Sequence, residues 1–88
     1  MQNREPTLIR HFIRSAQLRA DLIINGYSII SEATLPDGSN ITTMRHSRTG
    51  RRLRLTVSNK ETTLTDGTKI LKRLTAQPLY ETECTRSM

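Results

Sequence analysis

The chain has 88 residues, of which 34% are hydrophobic and 3% aromatic, with no tryptophan, so its length allows one domain with a small aliphatic core. Its formal net charge is +6, from 14 lysines and arginines against eight acidic residues, and eleven of those 14 are arginines. The planar guanidinium fork suits phosphate oxygens, so this composition favours a polyanionic partner, usually a nucleic acid.

Several classes of protein are excluded by what the sequence lacks. A single cysteine, Cys84, excludes an internal disulfide and a cysteine-based metal cluster. The chain has no glycine-rich phosphate loop, no paired histidines and no clustered carboxylates, so we expect no metal and no cofactor. No apolar run follows the N-terminus and no segment is long enough to span a membrane, so the expected location is the cytoplasm.

The first predicted element is a helix from about Pro6 to Asn25, because proline suits a first helical turn and Gly26 suits the residue that ends a helix. Apolar residues at three- and four-residue spacing form one stripe along it. The stripe consists of Ile9, Phe12, Ile13, Ala16, Ala20, Ile23 and Ile24. Leu18 and Leu22 lie on nearly the opposite side, which leaves open either burial within the fold or contact with a partner or a second copy.

Three strands are predicted next, at 27–35, 40–47 and 51–59. The segment Pro36-Asp37-Gly38-Ser39 predicts the first turn and Arg48-Thr49-Gly50 the second. In the third strand Leu53, Leu55 and Val57 alternate with polar residues, so one face is apolar and the other carries Arg52 and Arg54. Short connections of this kind favour an antiparallel meander.

A second helix is predicted near 66–76, with Thr65 or Asp66 as its cap and Pro78 just beyond its end. Ile70, Leu71 and Leu74 would form its buried side. The predicted architecture is therefore α+β, in the order helix, three-stranded antiparallel sheet, helix, with both helices on one sheet face and the other face open. Residues 1–76 form this single domain, and 77–88 are expected to be a flexible tail.

Four short motifs occur in a suggestive order: Asn25-Gly26-Tyr27, Gly38-Ser39-Asn40, Gly50-Arg51-Arg52 and Gly67-Thr68. Together they resemble the HicA mRNA interferase toxins of bacterial toxin–antitoxin pairs, and the match covers residues 18–76. The resemblance implies a double-stranded-RNA-binding-domain-like fold, RNA binding, metal-independent endoribonuclease activity and a small acidic antitoxin-like partner.

The sequence departs from that family at the catalytic position. The family's catalytic histidine follows Gly-Ser, and Asn40 stands there in this chain, without a proton to exchange near neutral pH. His46 is the only histidine near that strand, on the same face but about 20 Å away. Asn40 and His46 are the candidate catalytic residues, for an active enzyme or an inactive relative, whereas His11 is expected to face solvent or the side of Leu18.

Arginines are concentrated at the predicted second turn, with no acidic residue among them. The cluster consists of Arg45, Arg48, Arg51, Arg52 and Arg54. We expect it to be the main anion-binding surface, and Lys69, Lys72 and Arg73 on the second helix to form another, with a phosphate at the helix start at Gly67-Thr68. The scarcity of aromatic residues argues against a base-stacking platform.

Two functions follow from these features. The first is nucleic-acid binding, most directly RNA binding, by a HicA-like domain. The alternative is a non-enzymatic phage- or plasmid-type inhibitor or adaptor, whose arginine hairpin binds an acidic protein surface. Steep weakening of RNA binding with salt would distinguish the first from the second.

Overall fold

The computed structural model describes residues 4–76, and their side chains from Leu8 onward. One helix precedes a single antiparallel sheet whose five strands lie side by side in chain order. The elements are α1 (Arg4–Ile24), β1 (Tyr27–Thr34), β2 (Asn40–His46), β3 (Arg52–Val57), β4 (Glu61–Thr65) and β5 (Ile70–Thr75). The fold is α+β. The tail predicted at 77–88, with Cys84, lies outside the described residues.

The helix ends where the sequence predicts. The N–H of Asn25 donates to Asp21 O at 3.0 Å and the N–H of Gly26 to Ile23 O at 3.1 Å, which closes the last turn. Gly26 has φ +103°, a conformation that a side chain disfavours. The chain therefore reverses at once into β1.

The predicted αβββα fold is wrong, and with it the double-stranded-RNA-binding-domain-like architecture that the HicA resemblance implies. Residues 61–65 and 70–75 form two further strands, and no helix lies at 66–76. Asp66 and Gly67 belong to the turn between them, where the Asp66 carboxylate accepts hydrogen bonds from the backbone N–H groups of Thr68 and Lys69. Asp-Gly is a strong hairpin signal, and the threonine-rich segment before it favours a strand.

The two outer hairpins share a sequence at their turns. Residues 34–41 (TLPDGSNI) and 63–70 (TLTDGTKI) have Thr, Leu, Asp, Gly and Ile at the same positions. In each turn an aspartate caps the backbone: Asp37 accepts from Ser39 N at 2.9 Å, and Asp66 from Thr68 N at 2.9 Å. The sequence pattern that marks the turn of the first hairpin therefore also marks the turn of the second hairpin.

One face of the sheet is covered by α1 and holds the core; we call it the covered face. Its buried side chains are Met44, Leu53, Leu55, Leu64 and Leu74. Leu18 and Leu22 of α1 pack against the cluster of Leu53, Leu55 and Leu64. Of the two alternatives left open for Leu18 and Leu22, the structure shows burial within the fold, because these leucines attach the helix to its own sheet.

Polar contacts fix which side of α1 meets the sheet. His11 is 2% exposed, and its Nε2 lies 3.0 Å from Ser58 O, so of its two expected positions it takes the side of Leu18, which faces the sheet, and not solvent. The Ser15 hydroxyl donates to His11 O at 3.0 Å and lies 2.6 Å from Thr62 Oγ1. Most of the apolar stripe of α1 consequently points away from the sheet, whereas Phe12 and Ala16 at its border line a cavity with Leu55 and Val57.

Both edge strands are irregular. The register shifts at Ile30 in β1 and at Leu71 in β5, and bulges of this kind discourage pairing with another chain. Within residues 4–76, no helix is long and apolar enough to cross a membrane.

Candidate nucleic-acid interface

Three arginines lie together on the side of the sheet opposite α1, which we call the open face. Leu53 and Leu55 of β3 are buried on the covered face, so alternation directs Arg52 and Arg54 to the open face. Arg45 of β2 stands directly opposite Arg52 in the register. All three side chains are exposed.

These arginines form no ion pair in the described part of the chain, although Asp66 lines the same cavity as Arg52 and Arg54. None of its carboxylates lies within 4.0 Å of Arg45, Arg52 or Arg54, while three other arginines do form ion pairs. Like charges directly opposite each other weaken a strand pair. The pairing of Arg45 with Arg52 therefore costs stability in the free protein, and a bound anion would relieve that cost.

The other two arginines of the predicted cluster lie at the turn between β2 and β3. Arg48 is exposed there, and Arg51 lies 3.7 Å from a carboxylate oxygen of Asp66. The structure thus divides the cluster, with three guanidinium groups on the open face and two at the turn, of which that of Arg51 is partly neutralised by Asp66.

A cavity of about 310 Å³ opens beside Arg52 and Arg54. Its walls also include two threonines that sequence reasoning missed, Thr43 and Thr65. Both stand directly opposite Arg54, one on each neighbouring strand. The Thr43 hydroxyl can bond phosphate or ribose oxygens, whereas the Thr65 hydroxyl donates to Lys69 O at 2.8 Å and accepts from Gly67 N at 3.0 Å, so it holds the turn. The regular alternation of β3 with threonine-rich neighbouring segments was the signal that could have found them.

Asp66 closes one end of this cavity and holds its loop. Hydrogen bonds from the N–H and hydroxyl of Thr68, then from the N–H of Lys69, hold the pKa of the Asp66 carboxyl well below its usual range, with a further contribution from Arg51. The carboxylate is therefore ionised at neutral pH. The carboxylate fixes the turn between β4 and β5 and offsets part of the positive charge of Arg51 at the edge of the cavity.

The second predicted basic group does not form one surface. Lys69 is exposed in the turn between β4 and β5, Lys72 lies beside Arg14 and Asp21 next to the helix, and Arg73 lies 3.6 Å from Glu61. The expected phosphate site at a helix start is also wrong, because Gly67 and Thr68 are part of a turn.

The candidate catalytic residues lie on the covered face, away from the open-face arginines. Asn40 and His46 share a face of β2, as predicted, but at opposite ends of the strand. Asn40 accepts a hydrogen bond from the Thr42 hydroxyl at 3.0 Å. Neither residue lines the cavity beside Arg52 and Arg54, so the structure does not bring them together with the arginines.

His46 has a structural role in the second turn. Its Nε2 donates to Asn25 O at 3.0 Å, because a carbonyl can only accept. Its Nδ1 then accepts from the N–H groups of Arg48 and Thr49, at 3.1 and 3.2 Å. The imidazole thus ties the turn to the end of α1, and a Cβ at Gly26 would stand 2.7 Å from Nε2. Both ring nitrogens are engaged.

Comparison with known protein families, curated proteins and solved structures gives no match to this chain.

Proposed function

We propose that this protein binds nucleic acid, preferentially RNA, through the open face of its sheet. The observation that carries the proposal is the group of Arg45, Arg52 and Arg54, which lie side by side on β2 and β3 and form no ion pair among the described residues. Guanidinium groups pair with phosphate oxygens through two parallel hydrogen bonds. The paired strands fix the backbone positions from which these three side chains extend.

The preference for RNA in this proposal rests on the hydroxyl group of Thr43, which stands directly opposite Arg54. Proteins that recognise RNA by shape contact phosphates and ribose 2′-hydroxyls rather than base edges. Aromatic side chains for stacking are few, at 3% of the chain. The proposal is for binding alone, since Asn40 and His46 lie on the covered face.

The test is the affinity of the protein for an RNA duplex over a salt series, with the variant Arg52→Ala/Arg54→Ala. Each phosphate contact releases condensed counterions, so the variant should flatten the slope of log affinity against log salt by about two units. The control is Arg14→Ala/Lys60→Ala, which removes the same charge from exposed positions on α1 and the loop before β4.

Equal losses in the test and control variants would show that net charge alone drives binding, and would contradict the open face as the site. A DNA duplex of the same sequence tests the RNA preference: equal affinity would overturn that part. Absence of RNA binding at low salt, together with salt-insensitive capture of an acidic protein, would favour the adaptor alternative instead.

A further inference from the structure

The outward side of α1 is apolar although nothing in the described structure covers it. Ile13 and Ile23 are 51% and 47% exposed, and Ile24 is 80% exposed. Ile9 is also exposed on this side of the helix, and Phe12, although exposed, lies at its border, where it lines a cavity with Val57 of the sheet. A contiguous apolar patch of this kind marks an interaction surface more often than chance exposure does.

The spacing of this stripe is that of a coiled-coil seam. Its members alternate steps of four and three residues, in the order Ile9, Ile13, Ala16, Ala20 and Ile23. A helix with this repeat presents a narrow apolar line that fits another helix of the same kind. The sheet lies on the other side of α1, so it does not obstruct a second helix.

The stripe is also symmetric about its middle. Counting outward from Leu18, alanines stand two residues away on both sides, at Ala16 and Ala20, and isoleucines five residues away, at Ile13 and Ile23. A two-fold axis brings the same surface of both subunits together. If one residue of the first copy contacts a second residue of the other copy, the reverse contact forms as well. An antiparallel pair of these helices meets that requirement, since reversal of the helix restores the pattern.

We propose that two copies of this chain pair antiparallel through the outward faces of α1. Ile13 of one copy then packs against Ile23 of the other at both ends of the contact, and Ala16 against Ala20 at its centre. The small alanines let the helix axes approach closely. With Phe12 and Ile24 beside the seam, such a contact would bury on the order of 1,000 Å² in total, about the area that a specific interface needs.

The charges beside the seam are compatible with this pairing. Two copies of Arg19 would face each other near the centre, but Arg19 already lies 2.8 Å from Glu32 of its own chain, which offsets the repulsion. Gln17 of the two copies would meet on the other side, where amides can exchange hydrogen bonds. At the centre of the contact, the two Arg19 side chains that face each other are therefore each paired with Glu32 of their own chain.

Two other occupants fit the surface less well. A membrane surface would favour bulky side chains in the middle of the stripe, where Ala16 and Ala20 offer little apolar depth. Strand addition would use the sheet edges, but the bulges at Ile30 and Leu71 interrupt both. The symmetric helix surface is therefore the better place for a second copy.

The experiment compares the mass of the full chain in solution with that of Ile13→Gln/Ile23→Gln over a concentration series. The parent should sediment at twice the chain mass of 10.1 kDa and the variant at that mass, with an unchanged far-ultraviolet spectrum. The control is Ile30→Gln/Ile70→Gln, whose isoleucines on the edge strands are 47% and 51% exposed, matching the test pair.

A monomeric parent, or a dimer that survives in the test variant, would overturn the proposal. So would binding of the parent to anionic phospholipid vesicles as a monomer. Disulfide trapping in a Cys84→Ser background decides the geometry even if the glutamine variant fails to fold. Ile13→Cys/Ile23→Cys should cross-link two copies, whereas Ile13→Cys alone should not, and cross-linking of the single variant would contradict the antiparallel arrangement.

Discussion

The covered and open faces of the sheet come from the same five strands but differ in chemistry. On β3 the inward residues Leu53 and Leu55 are buried under α1, and the outward residues Arg52 and Arg54 lie in solvent beside threonines. Because alternation separates the two sets, residues one position apart serve different purposes. Stability depends on the covered face, and in our proposal ligand contact depends on the open face, so mutation can separate them.

The largest expected difference in folding stability is between substitutions of two neighbouring residues on β3, one on each face. Leu55→Ala should lower the free energy of unfolding by about 2–5 kcal/mol, because Leu55 is buried in the small core and its truncation leaves a cavity there. Arg54→Ala should change it by less than about 0.5 kcal/mol, since Arg54 is exposed and has no acidic partner in the described chain. Urea unfolding of both variants tests this. Similar losses would show that the open face is part of the stabilising structure.

A smaller difference is expected between two adjacent threonines of β4. Thr62 is completely buried on the covered face, and its hydroxyl donates to Ser15, whose own proton goes to His11 O. Thr62→Val should cost about 1 kcal/mol, whereas Thr63→Val on the open face should cost little, because valine suits a strand.

Ser15→Ala sharpens this comparison, since it leaves the buried Thr62 hydroxyl with only its 3.5 Å contact to His11 Nε2 and should cost about 1–3 kcal/mol. The double variant Ser15→Ala/Thr62→Val should then lose less than the sum of the single losses, which thermal unfolding measures. Additive losses would mean that the 2.6 Å contact contributes nothing to folding.

The alternation that separates the faces was predictable from sequence, and so were α1 and the first three strands. The last two strands were not, because Ile70, Leu71 and Leu74 have a spacing that suits a helix as well as an irregular strand. The bulge at Leu71 produces that ambiguity by breaking the two-residue period. The turn at Asp66 and Gly67, which repeats the one at Asp37 and Gly38, was the better signal.

The orientation of α1 could not be read from its hydrophobic pattern. The stripe containing Ile13 and Ile23 has the stronger apolar period, yet the side with His11, Ser15 and Leu18 meets the sheet. The partners of that side, Ser58 and Thr62, lie far along the chain, so their hydrogen bonds arise only in the tertiary structure. A pattern indicates which surface benefits from burial, but it does not identify what covers it.

The two proposals together give a defined arrangement of binding surfaces. The open face lies on the side of the sheet opposite α1, so a dimer paired through α1 would place its two sheets outside and its two helices between them. Arg52 and Arg54 of one copy would then face away from those of the other. Such a dimer could contact two separate nucleic-acid segments, whereas a monomer could contact one.

The smallest predicted effect concerns Asp66, which holds the turn between β4 and β5 and also lines the cavity beside Arg52 and Arg54. Hydrogen bonds from Thr68 and Lys69 hold the pKa of its carboxyl below the usual value of about 3.9. A carboxyl whose pKa is lower in the folded state stabilises the protein above the unfolded-state pKa. That contribution is lost as the pH falls through the folded-state pKa. Asp66→Asn should therefore be less stable than the parent at pH 7, and the gap should narrow below pH 4.

The same substitution should act oppositely on ligand binding. Removal of the carboxylate frees Arg51, which lies 3.7 Å from it, and raises the positive charge at the rim of the cavity. RNA affinity at pH 7 and low salt should therefore rise while stability falls. Asp37→Asn is the matched control, because Asp37 caps the equivalent turn of the first hairpin and its pKa is also lowered, chiefly by Ser39, without an arginine partner. It should reduce stability in the same pH range and leave RNA affinity unchanged. An equal gain in affinity from both substitutions would mean that net charge, rather than the charge beside Arg51, controls binding.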